Sequence, residues 1–280
     1  MGGVTNEELR AGLGVATKPL LAVGVVIGLF MLVPLVVIVP TSWSAGQLLE
    51  FPPQGFSLKW YREVLSDDTW MSPIRVSLWN SVRASVIATL AGTAAALGMR
   101  RLAGGRSVRV MRSLFILPLA IPYVSYALGM YHFVLRVPGD LRASSWPLVL
   151  THATVTFPLV YVVVAGALAA VDPRLSNAAS TMGARWPMIV WKIELPLIKM
   201  AIVGGWVFAF ATAFDEATLA IFLSPIRQRT YAQHLFRETA ETIDPTVSAI
   251  STLVTIAIMG VLGFGSFVLS RAAAAKGRPA

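Results

Sequence analysis

The sequence predicts an all-α membrane protein, and three observations carry that prediction. Of its 280 residues 56% are hydrophobic and only 13% charged, with a mean hydropathy of +0.69, whereas soluble domains carry roughly 25% charged residues. Six windows of about 20 residues, 19–41, 79–99, 113–135, 147–171, 199–223 and 247–269, are apolar enough to cross about 30 Å of hydrocarbon as helices. The basic residues, finally, fall unevenly about those windows. With the N-terminus inside, fourteen of the 23 Lys and Arg and four of the 14 acids lie on inside segments. The formal +9 then divides into +10 inside and −1 outside, which is the positive-inside pattern and places both termini in the cytoplasm.

The predicted organisation is an inside segment 1–18, a transmembrane domain 19–270 and an inside tail 271–280. The first span is too long for a signal-peptide core and lacks a convincing small-residue cleavage site, so it is expected to remain as an anchor. Gly24 and Gly28 give it a GxxxG spacing that permits close helix approach. In the outside loop that follows, FPPQGFSLKWYREVLSDD begins with helix breakers and continues with Leu58, Tyr61 and Leu65 at helical spacing beside Trp60. A short helix packed on the spans is expected there. Residues 100–112 hold five arginines and no acid, as an inside loop against lipid headgroups should. Pro118 and Pro122 in the third span and Pro158 in the fourth each remove a backbone donor at membrane depth. They mark either kinks or the wall of a path.

The inside segment between spans four and five, 172–197, is the most informative. Asp172-Pro173 provides a cap and a proline at the first helical position. Leu175, Ala178, Ala179 and Met182 then form an i, i+3, i+4, i+7 stripe that ends at Gly183. Trp186, Ile189, Val190 and Ile193 repeat that spacing before Leu195-Pro196. The pattern predicts two helices of about 10 residues joined by a turn, each too short to cross the bilayer and therefore lying on the cytoplasmic face. Spacing alone leaves docking on another protein and anchoring in the headgroup layer equally open.

Asp215 and Glu216 fall inside the fifth window, roughly 24 Å along a helix from Lys199. A charge at mid-bilayer costs on the order of 2.5 to 3.5 kcal/mol, so these acids are expected at the outer edge, against a cavity or against a partner. Successive helical residues point about 100° apart, and only one of the two can line a path for a cationic solute. Asp244-Pro245 reads as a cap for span six. His132, His152 and His234 show no metal-ligand spacing, and no catalytic or metal-binding residue is assigned. No cysteine is present, which excludes disulfides. No GxxxxGK[ST] phosphate loop and no nucleophile elbow occur, so the chain has no evident means of holding ATP or of catalysis. The basic balance is explained by topology, with no nucleic-acid partner required.

The segment from Asn177 resembles the EAA loop of binding-protein-dependent ABC importer permeases: Glu-Ala-Ala, three residues, Gly, nine residues, Ile, any residue, Leu-Pro. Ala178, Ala179, Gly183, Ile193, Leu195 and Pro196 match in register, and Asn177 stands where the family has glutamate. The strings FPPQGFSLKWY, FDEATLAIFL and IDPTVSAISTL extend the similarity toward the second permease of spermidine and putrescine importers. The resemblance implies a type I importer fold with a cytoplasmic helix-turn-helix coupling loop. It also implies a multi-pass protein of the bacterial inner membrane that moves a solute by alternating access. Implied partners are a dimer of ATP-binding subunits carrying ATP and Mg, a second homologous permease, an extracytoplasmic substrate-binding protein and membrane lipid. This chain itself would bind no cofactor and hydrolyse nothing. The loop residues, with Arg185 beside them, would meet the ATPase; at Asn177 the family's charged contact becomes a neutral one. Polyamine is the leading substrate. Other organic cations, opines, aminophosphonates and sugars travel through related machinery, and an ion-driven secondary transporter is the competing class.

Overall fold

The computed structural model describes residues 6–102, 104–225, 228–241 and 244–276, with side-chain surroundings defined for 19–102, 104–225, 228–240 and 244–260. The expected segments 1–18 and 271–280 lie outside the residues whose side chains are described. The elements are α1 (Asn6–Thr41), α2 (Lys59–Ser66), α3 (Asp68–Arg101), α4 (Arg106–Ile116), α5 (Tyr123–Val134), α6 (Gly139–Arg142), α7 (Trp146–Ala170), α8 (Pro173–Thr181), α9 (Trp186–Ile189), α10 (Leu195–Asp215), α11 (Thr218–Leu223), α12 (Tyr231–Glu241) and α13 (Pro245–Lys276). A 3₁₀ turn (Leu117–Ala120) follows α4 and a π turn (Val190–Glu194) joins α9 to α10. Among the described residues no β-strand forms. An isolated antiparallel bridge pairs Ser44 with Phe56.

Among the described residues, four helical stretches are long and apolar enough to span a membrane: Pro19–Thr41, Asp68–Arg101, Trp146–Ala170 and Trp186–Asp215. The pair Arg106–Ala120 and Tyr123–Val134 makes a further span bent by 101°, and α13 covers the sixth predicted window. The fourth window agrees with its helix almost to the residue, while α1 begins at Asn6, well before the first window. The second was too short at its start: α3 runs for 34 residues, about 51 Å, well beyond the hydrocarbon. The third is broken at Pro118 and Pro122, where missing N–H groups and fixed φ stop one helix and start another. The fifth window ran too far, because the helix ends at Asp215 and the remaining apolar residues form the separate α11.

The chain divides into two compact units, 68–240 and a second made of 1–67 with 241–280. In the larger unit α3, α7 and α10 pack around one another. The buried face of α3 is built from small residues, including Ser77, Ser81, Ala84, Ser85, Ala88, Gly92 and Ala96. Such a face lets backbones approach closely where lipid offers no hydrophobic incentive to associate. At Gly92 a Cβ would sit 2.9 Å from the Cβ of Val160 and 3.1 Å from the backbone nitrogen of Tyr161. Val160 also lies against Gly205 of α10, where an added Cβ would be 3.3 Å from its Cγ1. One valine of α7 thus fills the notch that two glycines leave.

In the smaller unit, Thr41 at the end of α1 donates to Ser248 of α13 at 3.2 Å. The Trp60 indole donates to the carbonyl of Ser44 at 2.8 Å. The buried residues of α2 are Trp60 and Val64, which corrects the stripe expected from Leu58, Tyr61 and Leu65. Leu58 precedes the first helical turn, so the true i, i+4 pair begins two residues later; Leu58 and Leu65 remain exposed. Gly24 and Gly28 have no heavy atom of the described residues within 4 Å of a built Cβ.

Candidate functional site

The loop between α7 and α9 folds as its caps dictate. The Asp172 carboxylate accepts the amide of Arg174 at 2.9 Å, and Pro173 occupies the first turn, where no donor is lost. At the other end Gly183 has φ +85°. The amide of Ala184 donates to Ala179 O at 2.9 Å and that of Gly183 to Ser180 O at 3.0 Å, the paired bonds of a Schellman ending. Open space surrounds the position, so glycine is needed there for its backbone conformation and not for room. Between these ends Leu175, Asn177, Ala178 and Met182 are exposed, and Met182 is uncovered to 88%. An apolar strip on a capped helix is left without a covering neighbour among the described residues.

The second helix of the loop departs from expectation. Trp186–Ile189 does not stop before the span; it continues through the π turn into α10, giving one helical run from Trp186 to Asp215. Pro196 supplies the reason. Its ring would clash with the carbonyl four residues back, and widening the preceding turn relieves the clash without ending the helix. Of the remaining motif residues, Arg185 and Pro196 are exposed, while Ala179, Ile193 and Leu195 are half-buried. Leu195 packs against the cluster that contains Val160 and Ile198.

Where the π turn meets the span, a buried polar joint forms that the sequence did not reveal. Glu194 is only 3% exposed. Its Oε1 accepts from Ser176 Oγ of α8 at 3.3 Å and lies 3.6 Å from Nε of Arg100, at the last turn of α3. The same guanidinium donates to the carbonyls of Leu168 and Val171 at the end of α7, the latter at 3.0 Å. Both carbonyls lie in the last turn, where a helix end leaves acceptors open, and Leu168 O also accepts the Val171 amide at 3.2 Å. Beside it, the Arg101 guanidinium lies 4.9 Å from the centre of the Trp186 ring, a cation–π contact. One signal was available in the chain: an acid placed between Ile193 and Leu195 at the mouth of a span requires a partner.

At the opposite end of α10 the two acids separate. Asp215 is exposed and Glu216 buried. The chain turns extended at Glu216, ψ 111°, and both carboxylate oxygens accept amides of the following helix, from Thr218 and from Leu219, each at 2.7 Å. His152 Nε2 of α7 stands 3.5 Å from the same carboxylate. Glu216 is thereby fixed as a cap for α11. His152 is buried against it, His132 holds its own helix through Leu128 O at 2.8 Å, and the His234 ring meets Trp70 edge-on at 4.7 Å.

A family model described as binding-protein-dependent transport system inner membrane component matches residues 88–276. The chain belongs to that family. The permease is 28% identical over 247 residues to the putrescine transport system permease protein PotI of Escherichia coli K12, covering 86% of each chain. It is 29% identical over 244 residues to the spermidine/putrescine transport system permease protein PotC of Haemophilus influenzae, covering 86% of the permease and 91% of that protein. Among solved structures, a bacterial alginate ABC transporter in complex with an alginate pentasaccharide-bound periplasmic protein superposes with a TM-score of 0.68 at 12% identity, over 91% of the permease and 95% of that chain. The permease therefore has the type I ABC importer fold.

Proposed function

We propose that this permease imports a polyamine, a small di- or tricationic amine such as putrescine or spermidine, powered by an ATPase dimer that docks on α8. The observation that carries the proposal is the uncovered strip of Leu175, Ala178 and Met182 on a helix whose two ends are rigidly defined. A helix lodged only in headgroups would present bulky anchors throughout, whereas Ala178 offers the flat surface that close protein contact needs.

In this mechanism ATP-driven closure brings the α8 helices of this permease and a companion permease together. The helical run from Trp186 to Asp215 carries the motion through the membrane, opening the path alternately to an outside binding protein and to the cytoplasm. Both termini face the cytoplasm, as the positive-inside balance directs. Asn177, exposed on α8, makes a neutral contact with the ATPase, and Arg185 a charged one. The substrate class is supported by the relatives named for putrescine and spermidine/putrescine, and by the exposed carboxylate of Asp215 at the outer end of α10, which attracts a cation. With the carboxylate of Glu216 occupied by two amides, Asp215 is the acid of the pair left to line the path.

The test is uptake of radiolabelled putrescine into proteoliposomes holding the whole complex, with ATP inside and loaded binding protein outside. ATP-dependent accumulation supports the proposal. Hydrolysis stimulated only by a binding protein loaded with a non-cationic solute would overturn the substrate class, and absence of any ATP-dependent uptake would overturn the importer itself.

A further inference from the structure

We infer that the Arg100–Glu194 joint is the element that makes α8 and the spans move as one body, so that both residues are positioning residues for the transport step. The inference rests on α8 being the helix that the ATPase displaces. Four helical segments converge on one guanidinium and one carboxylate. Arg100 belongs to the end of α3 and holds the terminal carbonyls of α7. Glu194 belongs to the turn that leads into α10, and Ser176 of α8 donates to it. The Arg101–Trp186 contact fastens α3 to the start of α9. Besides this joint, α8 is held by its two covalent connections, Val171-Asp172 before it and the Gly183 turn after it, and by packing on α9. A helix suspended between two loops rotates when it is pushed; a helix bonded to the neighbouring span pushes that span.

The choice of residues supports a directional role over mere cohesion. Breaking one partner of a buried ion pair is costly, yet replacing the whole pair with apolar residues of similar volume is often neutral or stabilising. Leucine and methionine would therefore hold the four segments together by packing. What they would not provide is the fixed geometry of a guanidinium fork that serves two carbonyls and a carboxylate together. A bonded joint transmits displacement, while an apolar contact slides.

That contrast defines the experiment. The variants are Glu194→Ala, Arg100→Lys and the paired Arg100→Met/Glu194→Leu, each measured in the reconstituted complex for abundance, thermal midpoint, ATP hydrolysis and putrescine uptake. Glu194→Ala is expected to lower abundance and to reduce uptake per ATP hydrolysed about tenfold. Arg100→Lys, which keeps the charge and loses the fork, is expected to fall between it and the unmodified protein. The paired variant should recover abundance and thermal midpoint while uptake per ATP remains about tenfold low. A purely structural joint predicts recovery of all four quantities in the paired variant, and that result would overturn the inference. An unmodified complex that shows no ATP-dependent uptake at all would instead overturn the importer proposal beneath it.

Discussion

Two buried acids mark the two ends of α10, and they are satisfied in opposite ways. Glu216 turns back on its own chain and accepts the amides two and three residues ahead, and His152 approaches it from α7. Glu194 takes nothing from its immediate neighbours. Its partners lie 18 residues before it on α8 and on the last turn of α3. The first is a local cap, whose worth is that of a helix start. The second is a tertiary joint, whose loss leaves Arg100 uncompensated among three helices. One end of α10 is thus fastened by a local bond and the other by bonds between elements.

The comparison can be broken in several places. The largest effect is expected from Glu194→Leu alone, which strands the mostly buried Arg100 and should cost about 3–5 kcal/mol, read as lost abundance and a lowered thermal midpoint. Glu216→Ala should be milder, about 1–2 kcal/mol, because it removes the cap of a six-residue helix and the carboxylate beside His152 but strands no permanent charge. If the two variants prove equally damaging, the distinction between joint and cap fails. Gly183→Leu should cost roughly 1–2 kcal/mol for a left-handed residue, with normal membrane insertion but strongly reduced uptake, since the Schellman turn that aims α8 is lost; normal uptake by this variant counts against docking on α8. Asp215→Asn should leave the thermal midpoint unchanged and lower uptake several-fold at low putrescine, an effect that fades as salt screens the attraction. Unaltered uptake at low substrate removes Asp215 from the path.

Much of the fold was legible in the sequence because a bilayer imposes simple length and composition rules. The fourth window was read almost to the residue, and α8 appeared with its cap, its stripe and its glycine. Those features depend on neighbours within a few positions, where periodicity and turn chemistry act. The misreadings have equally local reasons. Leu195-Pro196 reads as a stop, yet a widened turn absorbed it and joined the loop to the span. Asp215-Glu216 lay within an apolar run, and hydropathy alone does not reveal that the second acid folds back to start a new helix. Leu58 appeared to belong to the stripe of α2 because its spacing fits, although it stands before the first turn.

Alone, the sequence determined the helical class, the approximate spans and the short capped helix α8 with its glycine turn, since each follows from hydropathy, capping and spacing along one stretch of chain. The tertiary structure decided which polar residues meet. Arg100 lies 94 positions from Glu194 along the chain, and nothing in either neighbourhood names the other; the helices came together because Gly92 and Gly205 admit Val160. That close approach brings the ends of α3, α7 and α10 within reach of one guanidinium, and so it is packing between distant small residues that built the joint where these helices meet.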